Sequence, residues 1–235
     1  MIINVISGPR NISTALMYSF AQHSQVKVVD EPFYAYYLLE TGMDHPGREE
    51  IIAKMEGDPR IIVEQIHELH EKHEVVFIKN MAHHHVGLDW SYLNGMKNMF
   101  LIRDPKHIIT SYIKIIEEPT LPDIGLKEEF ELLEHVVKYG AHAPVVIESN
   151  QTLGDPEGQL RKLCSKLEIE FQPTMLKWEP HQLEEDGVWA KYWYNNVHGS
   201  TGFAKQQVKE RNLPAQFHGL YEESLSYYEK LLAYV

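Results

Sequence analysis

The opening stretch, Met1 to Phe20, constrains the fold more than any other. Ile2, Ile3, Val5 and Ile6 form a short apolar run that suits a strand buried on both faces of a parallel sheet. From Ile12 onward, Leu16, Met17, Phe20 and Ala21 recur at helical spacing, so a strand must feed a helix through the turn Ser7-Gly8-Pro9-Arg10-Asn11-Ile12-Ser13-Thr14. Such a turn aims backbone N–H groups at whatever lies over the helix start. Gly8 permits close approach, Ser13 and Thr14 offer hydroxyls and Arg10 carries a fixed charge, which together suit a phosphate or a similar anion. The spacing is not that of a Walker A loop, which needs a glycine and then a lysine where Ser13 and Thr14 stand, so ordinary ATP binding is disfavoured.

Further strand ends carry charge. Val26 to Val29 is an apolar run closing on Asp30-Glu31-Pro32-Phe33-Tyr34, with Tyr36 and Tyr37 continuing an aromatic wall. Val75 to Ile78 ends in Lys79-Asn80-Met81 and then His83-His84-His85 on a turn expected to be partly exposed. Met99 to Ile102 runs into Arg103-Asp104-Pro105-Lys106, where Asp104 caps a helix that carries Ser111 two turns along. Open α/β sheets place ligand groups beyond the carboxyl ends of their strands, where these residues lie. The formal net charge of −12 argues against nucleic acid or an anionic membrane as partner, so a bound anion must meet locally gathered charge, and Arg10, Lys79 and Arg103 stand out.

The remaining stretches fill in a scaffold. Asp58-Pro59 and Asp155-Pro156 read as helix starts, Lys127 to Tyr139 as a helix, Pro144 to Ile147 as a fifth strand, and the tail from Pro214 as an amphipathic helix. Residues 117 to 126, with Pro119, Pro122 and Gly125, read as a flexible loop able to cover a substrate. His67, His70 and His73 share a polar helix face without an HExxH pattern, so no metal site is expected. A single cysteine, Cys164, and the lack of a leader pattern before the first strand give cytoplasmic residence as the expectation. One domain over 1–235 is expected, a three-layer α/β fold with a mainly parallel five-stranded sheet.

Pro9-Arg10 with Ser13-Thr14 resembles the 5′-phosphosulfate loop of sulfotransferases, and Arg103, Pro105 and Ser111 match the spacing with which that family binds a 3′-phosphate. The chain departs from the pattern in having Arg10 rather than the usual lysine, Ile12 where glycine is frequent and Met81 where a histidine base stands in one subgroup. The DEPFY segment, the ALMYSF helix and the aromatic stretch before Gly199 are similar to the sulfotransferase-like proteins grouped with branched-chain aminotransferases.

The resemblance implies a P-loop NTPase-like fold and sulfuryl transfer from 3′-phosphoadenosine 5′-phosphosulfate to a hydroxyl or amine of a small acceptor, without a metal. It implies that Arg10, Asn11, Ser13 and Thr14 bind the 5′ end, Arg103 and Ser111 the 3′-phosphate, and a late loop around Ser200, Thr201 and Gly202 the adenosine side. Lys79 would meet the transferring group and Glu31 would take the acceptor proton, with His83, His84 or His85 as the alternative base. Two other readings stay open: a small-molecule kinase using ATP, and a nucleotide-binding relative without turnover. Neither the acceptor nor the oligomeric state is legible.

Overall fold

The computed structural model describes residues 1–114, 116–203 and 211–235. Five strands, β1 (Ile2–Ser7), β2 (Val26–Asp30), β3 (Val75–Met81), β4 (Lys97–Ile102) and β5 (Val145–Glu148), form one sheet in the order β2-β3-β1-β4-β5, every neighbouring pair parallel. β1 lies between β3 and β4, so its chain leaves toward β2 while the chain after β4 leaves toward β5. The crevice between β1 and β4 is therefore a topological switch point, where open α/β sheets bind ligands.

Strand alternation supplies the two faces. Ile3, Val5, Phe77, Met99 and Leu101 pack under helices α1 (Ser13–Ala21), α2 (Tyr34–Thr41), α3 (Arg48–Lys54) and, late in the chain, Pro156–Leu167. Ile2, Ile6, Val76, Ile78, Phe100 and Ile102 pack on the opposite side. That side is covered by α4 (Pro59–Lys72), α5 (Pro105–Tyr112), the longer α7 (Leu126–Tyr139), which follows the short turn α6 (Leu121–Ile124), and the C-terminal helix. The last elements in chain order are α8 (Ser149–Gly154), α9 (Pro156–Leu167), α10 (Ala190–Trp193), α11 (Asn195–His198) and α12 (His218–Leu232). No described helix is long and apolar enough to cross a membrane.

A row of amides crosses the sheet where apolar residues would otherwise pack. Asn80 donates to Asn4 Oδ1 at 2.7 Å, Asn4 donates to Asn98 Oδ1 at 3.1 Å, and Asn98 donates to Leu93 O at 2.8 Å. All three side chains are buried, and a slip of any strand would leave a buried amide unpaired, so the row holds the register of β3, β1 and β4.

The structure adds to one sequence expectation and corrects two. The aromatic wall from Tyr34 to Leu38 is the start of α2; Tyr34, Tyr37 and Leu38 recur at helical spacing and Gly42, at φ 68°, stops it in the left-handed region. The 117–126 stretch is not a free loop over a substrate. Thr120 and Asp123 form a capping box there, Ile124 is buried, and Ile124 O lies 2.5 Å from where a Cβ on Gly8 would stand, so α6 is docked on the first loop. Two of the three residues of the histidine turn are buried rather than partly exposed: His84 and His85 sit in a 3₁₀ turn after β3 at 1% exposure each, and His83 is half-buried.

Candidate active site

The first loop is held from behind by neutral groups. Asn11 donates to Leu101 O at 2.5 Å, and the single hydroxyl proton of Ser149 is shared between Asn11 Oδ1 and Ile102 O, 2.9 Å away, so the loop is tied to the end of β4 and the start of α8. Arg10 sits at φ 56°, a left-handed conformation that costs a non-glycine residue energy and is held here by its surroundings. Gly8 and Gly125 face each other closely, a Cβ on Gly125 falling 3.2 Å from Gly8 Cα. Beneath them Glu129 is fully buried, and burial pushes its carboxyl well above the usual carboxylate range, which favours the uncharged acid behind the loop.

Three arginines converge on the crevice. Arg10 donates through Nε to Ser111 Oγ at 3.0 Å, Arg103 through Nη1 to Arg10 O at 2.8 Å, and Arg211 through Nη1 to His107 O and Thr110 Oγ1 at 3.3 Å each. Every one of these acceptors is neutral. Among the described residues none of the three arginines forms a salt bridge, and Arg103 Nε is buried without a partner. Burial, and then the charge of Arg211, lower the pKa of both Arg10 and Arg103, with Glu148 and Asp104 only partly opposing the shift of Arg103; gathered like charges without a salt bridge are what an anion site requires.

The opposite wall is built around Lys79. Its ammonium, at 1% exposure, donates to Asp30 Oδ1 at 3.0 Å, to Glu31 Oε1 and to Tyr194 OH at 2.6 Å. Burial alone would lower the pKa of this ammonium, but Asp30 and Glu31 together outweigh it and raise the pKa above its usual range. Asp30 also accepts from Tyr194 OH at 2.9 Å and from Gly187 N at 3.2 Å, which brings the segment after α9 onto the ends of β2 and β3. Glu31 has φ 41° and donates its N–H to Lys79 O at 2.8 Å, which turns its side chain back toward the lysine. Glu31 Oε2 lies 3.9 Å from His84 Nδ1, a buried nitrogen without a hydrogen-bond partner.

One cavity of about 930 Å³ joins the two walls. Arg10, Asn11, Ser13, Thr14, Glu31, Lys79, Arg103, Ser111, Ser200 and Gly202 all line it, as do His83 and His84. Two expected residues lie elsewhere. Thr201 is exposed and turns its carbonyl to Trp178 N at 3.3 Å, and His85 bonds Met81 O at 3.0 Å beside Phe33 and Tyr92. Several side chains in the wall are already engaged. Ser200 Oγ accepts from Trp178 Nε1 at 3.0 Å and donates to Val197 O at 2.7 Å, so it staples the late loop. Gly202 pairs with Lys177 in a single antiparallel bridge, where a Cβ would fall 2.7 Å from Leu176 O. Lys79 has its three donors taken, so it could touch a transferred group only by giving up one of these bonds.

Sequence reasoning missed Arg211, Trp189, Trp193 and Tyr194 as site residues. Arg211 stands nine residues past Gly202, beyond the late loop that the resemblance pointed to. The signal for Tyr194 was the aromatic density of the segment, which does not say which hydroxyl reaches a buried lysine.

The family model described as a sulfotransferase domain matches residues 1–234. Branched-chain-amino-acid aminotransferase-like protein 2 of Arabidopsis thaliana is 38% identical over 231 residues, which is 98% of this chain and 41% of that protein. Its counterpart, like protein 1, is also 38% identical and is covered to 42%, so the chain spans less than half the length of these relatives. The sulfotransferase domain of the Synechococcus PCC 7002 olefin synthase superimposes with a TM-score of 0.67 at 17% identity, covering 100% of this chain and 94% of that domain. Mouse sulfotransferase SULT7A1, solved in complex with PAP, superimposes with a TM-score of 0.55 at 11% identity, covering 99% of this chain and 88% of that one. At such identities the superpositions speak for the fold.

Proposed function

This chain belongs to the sulfotransferase family, and we propose that it transfers a sulfuryl group from 3′-phosphoadenosine 5′-phosphosulfate to a hydroxyl or amine of a small acceptor. The observation that carries the reading is the convergence of Arg10, Arg103 and Arg211 on one crevice with only neutral partners among the described residues. The neighbour solved with PAP is consistent with a nucleotide of this kind. When bound, the donor supplies the sulfuryl group, which passes to the acceptor as its bond to the donor's phosphate oxygen breaks.

The residues divide the work by position. Arg10, Ser13, Thr14 and the N–H groups of the first loop hold the 5′ end at the start of α1. Arg103, Ser111 and Arg211 hold the 3′-phosphate, and Ser200 and Gly202 keep the late loop against the adenosine side. Fixed guanidinium groups supply the charge that a metal supplies in phosphoryl transfer, so positioning and neutralisation both come from side chains. Lys79 fixes Glu31 through Oε1 and leaves Oε2 facing the cavity beside His84, where it takes the proton the acceptor gives up. Cys164, buried and with its thiol pushed up to about 11, fits a reducing cytoplasmic setting.

Glu31→Gln tests the assignment. Single-turnover kinetics should show a loss of about 10²–10⁴ in rate, the usual worth of a positioned acid or base, while titration calorimetry shows unchanged affinity for 3′-phosphoadenosine 5′-phosphate. Normal turnover in this variant, with the rate lost in His84→Ala, would move the base to the histidine. Tight binding of ATP-magnesium and none of the 3′-phosphorylated nucleotide would overturn the donor.

A further inference from the structure

The two ends of the cavity differ in charge, and that difference says what the acceptor carries. At the nucleotide end the formal charges are the three arginines. At the other end one ammonium, Lys79, is enclosed by two carboxyl groups, Asp30 and Glu31, and burial, with the charge of Glu31 adding to it, pushes the Asp30 carboxyl above its usual range despite Lys79, as in a site that draws in positive charge. Asp44 lines the same wall but is exposed, so its charge is screened by water. The nearby imidazoles bring no such charge, because burial holds His83 down to about 3 and His84 well below its usual value. Lys114 also lines the cavity, but it is exposed and its charge is screened by water.

The wall between these charges is aromatic. Tyr34 stacks on His84 with centroids 4.6 Å apart and meets Trp189 edge-on at 5.1 Å, and Trp193 lines the same end with its Nε1 buried and unpartnered. His84 itself is 1% exposed, and its free Nδ1 sits 3.9 Å from Glu31 Oε2 at the cavity wall. Aromatic rings next to a carboxylate attract a cation through both the ring quadrupole and the carboxylate charge.

We propose that the acceptor is a small alcohol bearing a cationic amine, its hydroxyl at Glu31 Oε2 and its ammonium against Tyr34, Trp189 and Trp193, where it adds positive charge beside the Lys79 cluster. This rests on the transferase reading above and adds the class of substrate to it. A neutral alcohol of the same shape fills the same space but adds no positive charge there.

The test uses isosteric pairs that differ only in charge: choline against 3,3-dimethyl-1-butanol, and 4-(aminomethyl)benzyl alcohol against 4-ethylbenzyl alcohol. Each is titrated calorimetrically into the full chain, with and without saturating 3′-phosphoadenosine 5′-phosphate. The charged member of at least one pair is expected to bind at least about tenfold tighter than its neutral twin, and Trp193→Leu is expected to cut that advantage severalfold. Equal or tighter binding of the neutral member in both pairs, or no binding of any of the four, overturns the inference even if the nucleotide binds well. Discrimination in favour of the charged member without any nucleotide binding supports the inference and removes the donor assignment instead.

Discussion

Arg103 after β4 and Lys79 in β3 both bring a cation into the cavity wall, but Arg103 bonds a neutral carbonyl, Arg10 O at 2.8 Å, whereas Lys79 bonds Asp30, Glu31 and Tyr194. A neutral partner fixes the position of a charge and leaves its field in place, whereas a carboxylate partner cancels it. The arginine side is therefore poised for a ligand. The lysine side holds a scaffold together, and removing its cation leaves two buried carboxylates unmatched.

The largest effect expected from that contrast is on stability. Lys79→Met should cost about 3–5 kcal/mol, because Asp30 and Glu31 would lose their buried counter-ion. Arg103→Met, measured beside it by urea unfolding, should cost far less or stabilise the fold, since it relieves the repulsion from Arg10 and Arg211. The reverse order would break the comparison.

Acidification separates the two sides next. The arginines stay charged throughout, whereas His85 beyond Lys79 is buried neutral, its pKa lowered by burial from 6.5 to about 4. A base whose folded pKa is depressed contributes stability above its unfolded pKa and loses it as pH falls, here from about 6.5 toward about 4. His85→Asn removes that term, so the stability gap between the parent and the variant should shrink by roughly 3 kcal/mol between pH 7 and pH 4. A gap that does not change with pH would mean that His85 is not held neutral.

On the arginine side the expected effect is on binding. Arg103→Ala should weaken the 3′-phosphorylated nucleotide by about 1.5–3 kcal/mol, roughly 10- to 150-fold, and its 3′-dephospho counterpart far less. Equal losses for the two in calorimetry would take the 3′-phosphate away from Arg103. The smallest effect is expected from Asn11→Ala, which frees the loop from Leu101 O and Ser149 Oγ. It should cost both nucleotides about 1 kcal/mol alike, and a selective loss would show that Asn11 touches the 3′ end.

The elements near the site were largely legible because each is written locally. The β1-to-α1 turn, the Asp104 cap that accepts from Lys106 N at 2.8 Å and the Arg103-to-Ser111 spacing all lie within a few turns of chain. Even so, Asn11 and Ser200 were read as ligand groups and are engaged in holding loops. A polar side chain near a site looks the same in sequence whether its partner is a ligand or a backbone carbonyl. The histidine turn was misjudged because three consecutive imidazoles look polar; Tyr34 and Tyr37 pack on His84 and Tyr37 on His83, while Phe33 and Tyr92 cover His85.

What the sequence determined by itself is the sheet, its helices and the strand ends at which charges emerge, because apolar period and capping act between residues a few positions apart. Which of those charges stays available was decided only by the tertiary structure. Lys79 finds Asp30 and Glu31 across 49 and 48 residues and Tyr194 across 115, while Arg103 meets the loop carbonyl of Arg10 across 93. The strength of a charge in a buried wall depends on the distance and sign of its nearest partners and on the water excluded around them, and none of these is set by neighbours in the chain.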